Sequence, residues 1–146
     1  MLRVLKAFFP SLLFTYAVAS VLATASVMAS LRGMGVEVDT ATQLQATWHD
    51  LLGMATSYLL MILAAFAVAL PVAAALVKLV GGWRLPLFLL AGAVALLVLH
   101  WLLSLALQVT PVAAARTPLG LAGQCAAGAL GAGLYALLSR RAANAD

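Results

Sequence analysis

Between Leu85 and Gln108 the chain reads LPLFLLAGAVALLVLHWLLSLALQ, with one ionisable side chain, His100. An α-helix of that length covers roughly 36 Å, enough to cross a hydrocarbon core of about 30 Å. Water is absent from that core, so backbone N–H and C=O groups must pair within the segment, as they do in a helix. His100, Ser104 and Gln108 recur at intervals of four residues. They form one polar stripe on an otherwise apolar helix.

The rest of the chain shares this character. It is 66% hydrophobic and 8% charged, with a mean hydropathy of +1.13, whereas a soluble domain carries about 25% charged residues. Lipid is therefore its main solvent. Its 146 residues suffice for one transmembrane domain of four spans and little else. The net charge of +4 does not point to nucleic acid, because the basic residues stand singly or in pairs at the ends of apolar runs. Cys125 is the one cysteine, which excludes an internal disulfide and C-x-x-C chemistry. Within an apolar run it reads as an inert thiol.

Arg3 and Lys6 precede an apolar run that reaches Leu31. Small-residue sites at Ala17–Ala19 and Ala23–Ala25 imitate a signal peptide, but the run exceeds the ~7–15 residues of a signal core. An uncleaved first span over residues 7–31 is expected, with Pro10 tolerated in its first turn. Ala19 and Ala23, and Ser20 and Thr24, form small-residue rows that admit a neighbouring helix closely. The polar segment 32–50 follows, with Gly33 and Gly35 breaking the helix. Thr40 and Gln43 suggest a capping box. Leu44, Trp48, Leu51, Leu52 and Ala55 share one helical face. A single helix from Thr40 to Val80 would be about 60 Å long, twice the membrane core, so a bend is required at Gly53 or Pro71. The favoured division is a short interfacial helix over 40–50, with Trp48 at headgroup depth, leading into a second span over 51–80.

Gly81-Gly82-Trp83-Arg84 is a tight connection to the third span, residues 85–108, which Pro111 stops. Thr117 and Pro118 read as the N-cap and first residue of the fourth span, 118–138. Gly123, Ala127 and Gly131 recur every four residues there, a face suited to close helix packing. Arg3, Lys6, Lys78, Arg84, Arg140 and Arg141 fall at one end of the bundle, against Arg32 and Arg116 at the other. The positive-inside rule then puts both termini in the cytoplasm. The make-up, rich in Ala, Leu, Gly and Arg, is of a bacterial kind, so a bacterial inner membrane is expected. The fold class expected is all-α, an up-down-up-down four-helix membrane bundle.

At about 1.5 Å per residue, His100 lies about 13 Å from the outer end of its span, Ser104 about 8 Å and Gln124 about 9 Å. Thr56, Ser57 and Tyr58 fall at similar depth, as do Ser20 and Thr24. The inner halves of the last three spans hold almost nothing polar. Two readings follow. His100, Ser104, Gln124, Tyr58 and Thr24 form a polar pocket in the outer half, with His49, Asp50 and Arg116 on its rim. Otherwise these groups glue helices together, each pair for about 0.6–2 kcal/mol. An intramembrane histidine favours a site, because it can exchange protons near neutral pH.

Several chemistries are excluded. His49 and His100 differ in depth, so they cannot share one haem. Zinc spacing, G-x-S-x-G, a P-loop and paired intramembrane carboxylates are absent from the sequence. No metal, cofactor or enzymatic activity is expected, since a lone histidine lacks a nucleophile and an orienting partner. The functions left are two. One is a non-enzymatic membrane subunit or scaffold, associating through Gly/Ala-rich faces with other subunits or with itself. The other is a channel, transporter or small-ligand binder using the cluster around His100. The bilayer is the one certain partner.

Overall fold

A computed structural model describes residues 2–37, 39–107 and 112–143. Among them every regular element is helical. The order is α1 (Leu2–Gly33), α2 (Thr40–Gly53), α3 (Ala55–Val80), α4 (Arg84–Leu107), a 3-10 turn at Ala113–Arg116, and α5 (Pro118–Ala143). Four of these helices, α1, α3, α4 and α5, are long and apolar enough to cross a membrane. The fold is an all-α membrane bundle with a fifth, shorter helix at its side. Gln108 and Pro111, expected to end the polar stripe and the third span, lie outside the described residues.

Helix ends follow from local chemistry. At the end of α1 the Val36 N–H bonds the Leu31 carbonyl and the Gly35 N–H bonds the Arg32 carbonyl, the pair of bonds that closes a Schellman motif. Gly35 takes the left-handed position at φ 82°, while Gly33 remains helical. The cap of α2 is Asp39 rather than Thr40, its Oδ1 accepting from the Thr42 N–H at 2.9 Å. A carboxylate there also meets the positive end of the helix. The expected capping box does not form, because the Gln43 Oε1 accepts from Arg32 at 2.8 Å instead. Thr117 caps α5 by accepting from the Gly120 N–H at 3.1 Å. Pro118 then starts the helix where a missing N–H costs nothing.

Hydrogen bonds from Thr42, side chain and backbone, hold the Asp39 carboxyl below its ordinary range. A depressed carboxyl stabilises the fold above its unfolded value and loses that contribution as pH falls through the folded one. The protection factor of the Thr42 amide against solvent exchange should therefore fall as the pH drops below about 4. Asp39→Asn, which caps without titrating, should abolish that dependence.

The division expected between residues 50 and 51 falls instead at Met54, next to Gly53, and α3 runs unbroken through the exposed Pro71. Pro10 lies well inside α1 rather than in its first turn. Gly81 and Gly82, at φ 67° and 77°, turn α3 back into α4. Open space surrounds both, so the backbone conformation alone demands glycine there.

Around the bundle the order is α1, α3, α4, α5, with α5 against both α4 and α1. Contacts along α4 and α5 run oppositely, from Gly92 at Gly128 to Leu85 and Leu89 at Gly133, and Arg84 at Ser139. Those of α1 and α5 also run oppositely, with Leu22 at Gly123 and Thr15 at Gly131. The spans thus alternate up and down. One buried row on α3, Tyr58, Ile62, Phe66 and Leu70, meets Phe88 and Leu96 of α4 and Ala19 and Tyr16 of α1 in a single core. The apolar windows of α1 and α5 are each 44% buried, those of α3 and α4 only 22% and 28%. Lipid therefore meets chiefly α3 and α4.

The glycine face of α5 is used inside the chain. A Cβ on Gly131 would overlap the Thr15 hydroxyl, and Ala127 is fully buried. The Gly123, Ala127 and Gly131 row therefore packs on α1 and is not free to meet a second copy. Gly123 is the looser end, with Leu22 carbons at 3.8 and 3.9 Å from the position of a Cβ. The closest backbone approach lies elsewhere: Gly92 of α4 and Gly128 of α5 press backbone to backbone.

Candidate functional site

Tyr58, His100 and Gln124 come together in the core, from α3, α4 and α5, each buried. The Tyr58 hydroxyl donates to Gln124 Oε1 at 2.6 Å, and Gln124 Nε2 donates to the Ala19 carbonyl of α1 at 3.0 Å. A carbonyl only accepts, so the second bond sets the orientation of the amide. His100 Nδ1 lies 2.9 Å from the Leu96 carbonyl, and by the same logic it carries the proton. Its Nε2 faces the Tyr58 hydroxyl at 3.5 Å. Tyr58 has already committed its hydrogen to Gln124. In a neutral imidazole Nε2 is thus an acceptor with no hydrogen directed at it. The Tyr58 and His100 rings meet edge to face at 5.9 Å, and Tyr16 packs on the other side of Tyr58 at 6.3 Å.

A second polar group caps this one toward α2. Thr24 Oγ1 donates to Asp50 Oδ2 at 2.8 Å, and the Tyr16 hydroxyl donates to the Leu51 carbonyl at 2.5 Å. The adjacent pair His49-Asp50 is therefore split. Asp50 turns inward to α1, while His49 is exposed. Arg116 is exposed in the 3-10 turn. Thr56 and Ser57 point outward, because Tyr58 occupies the inward row of α3. Tyr16 and the Ala19 carbonyl are members not marked by depth, whereas Ser20, expected at the depth of Thr24, is buried beside it. The spacing of Tyr16, Ser20 and Thr24, four residues apart on α1, was the available signal.

Ser104 does not join the hydrogen-bonded set, since its hydroxyl donates to the Trp101 carbonyl at 2.8 Å. It lines a groove of about 360 Å³ with Leu97, Trp101, Ala115, Leu121 and one edge of His100. This groove opens beside α4, on a side of the bundle that faces lipid. Among the described residues no three His, Cys, Asp or Glu side chains gather in a way that would hold a metal ion.

Fold and site together define a small four-span helical membrane protein with one buried polar cluster. Comparison of the chain with protein-family models, with curated proteins and with solved structures found no match.

Proposed function

We propose that this is a non-enzymatic membrane protein that binds a small amphiphile from the outer leaflet in the groove beside His100. The observation that carries the reading is the groove itself. Apolar walls from Leu97, Trp101 and Leu121 end at an imidazole edge and a serine oxygen, a layout that suits an acyl chain ending in a hydrogen-bonding head. Depth supports it, because the same helices place these polar groups in one half of the membrane. Catalysis has little to work with. Among the described residues no serine, cysteine or carboxylate is hydrogen-bonded to His100. The charge pattern supports both termini cytoplasmic, the groove then lying on the outer side, and the make-up rich in Ala, Leu, Gly and Arg supports a bacterial inner membrane.

A second reading, a subunit that holds other membrane proteins, draws on the largely exposed flanks of α3 and α4. Its contact would lie on those flanks, since the small-residue rows of α1 and α5 are already occupied by each other.

Trp101 reports on the groove. With Trp48 and Trp83 replaced by phenylalanine, a brominated monoacylglycerol should quench Trp101 saturably in bilayers. Ser104→Ala should weaken that saturable phase about tenfold, the value of one hydrogen bond near 1.4 kcal/mol. Quenching that rises linearly and identically in both proteins would mean that lipid merely bathes Trp101, and the proposal would fail.

A further inference from the structure

Ser20 is fully buried on α1, and its hydroxyl has no hydrogen-bond partner among the described residues. In this protein Ser11, Thr15, Thr24, Ser30, Thr47 and Ser139 all bond the carbonyl one turn back. Ser20 does not bond the Tyr16 carbonyl, so its hydroxyl is turned into the bundle. A buried hydroxyl left unsatisfied is costly, and such groups commonly hold an internal water with two to four polar partners.

The surroundings supply those partners. Ser20 stands midway in the row Tyr16, Ser20, Thr24, on the face that meets Leu51 and Asp50. It also follows Ala19, whose carbonyl holds Gln124. One turn outward is the half-buried carboxylate of Asp50 on Thr24; one residue away begins the set of Gln124, Tyr58 and His100. The Ser20 hydroxyl is the member of this row with no partner among the described residues, and Tyr16, one turn before it, packs on the Tyr58 ring.

We propose that Ser20 binds an internal water, and that this water joins Asp50 to Tyr58 and His100 as a proton path from the outer surface into the core. The path starts with a proton on the Asp50 carboxylate. Thr24, whose hydrogen turns from Asp50 Oδ2 to the water, then the water, then the Tyr58 hydroxyl, whose hydrogen turns from Gln124 Oε1 to His100 Nε2, each pass their own hydrogen inward and receive the one behind it. His100 Nε2, the acceptor with no hydrogen directed at it, ends as N–H, and the imidazole gains one positive charge. At the level of His100 the other titratable groups are Tyr16 of α1 and Cys125 of α5, neither of which bonds it, while Arg84 and Tyr135 lie with Phe88 farther along the bundle. The proposal rests on Ser20 and Asp50 and is independent of the groove.

The chain has two histidines, which makes the test direct. In bilayers of the 15N-histidine-labelled protein, magnetisation transfer from water protons should reach both His49, which is exposed, and His100. Ser20→Val removes the hydroxyl and fills its space, and should abolish transfer to His100 while sparing His49. Ser20→Thr should preserve it. Asp50→Asn keeps an acceptor for Thr24 but holds no proton, and should slow the response of the His100 nitrogens to a change of outer pH. If Ser20→Val fails to fold, Ser20→Ala takes its place with the same expected loss. No transfer to His100 in the wild type, or transfer unchanged in Ser20→Val or Ser20→Ala, overturns the water site. An unchanged pH response in Asp50→Asn overturns the path.

Discussion

Gly128→Leu will insert its four spans but will not close its bundle. The site faces Gly92 at backbone contact. A Cβ on Gly128 would stand 2.8 Å from Leu96 Cγ and 3.0 Å from the Gly92 carbonyl carbon, and it would overlap the Gly92 oxygen. Backbone cannot rotate away as a side chain can, so α4 and α5 must separate. Their contact is the most extensive between any two helices of the bundle. Overpacking costs about 1–3 kcal/mol where side chains can shift, and more where they cannot. Gly128→Ala should therefore lose at least about 2 kcal/mol in reversible unfolding from mixed micelles, and the leucine variant should show no cooperative transition. Gly123→Ala is the control. Its Cβ meets Leu22 only at ordinary contact distance, and alanine favours helix over glycine by about 0.5–1 kcal/mol. It should be neutral or stabilising. A Gly128→Ala protein as stable as wild type would mean that the two helices do not meet there.

Gln124→Leu should cost about 1–3 kcal/mol, with little change in packing volume. Gln124 is fully buried and ties α5 to both α3 and α1. Bonds between helices in lipid average only about 0.6 kcal/mol and reach about 1.7. The larger figure here reflects the Tyr58 hydroxyl, whose sole strong acceptor is removed. It can turn toward His100 Nε2, but at 3.5 Å that bond is long. Removing both members of a buried pair is less damaging than removing one. Tyr58→Phe with Gln124→Leu should accordingly be more stable than the sum of the single changes implies, by about 0.5 kcal/mol or more. Strict additivity in that cycle would show the two side chains to be energetically independent.

The residues that became partners show how far a linear reading reaches. His100, Gln124 and Tyr58 were selectable because polar groups are rare in such helices and lie at matched depth. Depth is a count of residues along a rod. Direction is another matter: each step turns a helix by about 100°. That turn separates His49 from Asp50, and Thr56 and Ser57 from Tyr58. Ser104 shares the stripe of His100, but one turn of rise and its bond to the Trp101 carbonyl keep it out of the cluster. In a soluble helix an apolar stripe would have marked the inward face. These spans are apolar all round, so no such stripe exists. Gly123, Ala127 and Gly131 were recognisable as a packing face, yet nothing in their spacing distinguished α1 of the same chain from α5 of another.

What the chain carries in its own order of residues is its solvent, its number of crossings and the places where helices start and stop. Each depends on a short window: hydrocarbon thickness against apolar run length, a cap residue, two glycines at positive φ. Only the tertiary structure decided which faces touch. Lipid is as apolar as leucine, so no hydrophobic force turns a span one way or another. That choice falls to the few positions where backbones can meet and polar atoms can pair. Gly92 against Gly128, and Gln124 between Tyr58 and Ala19, are contacts that exist only once all four rods are in place.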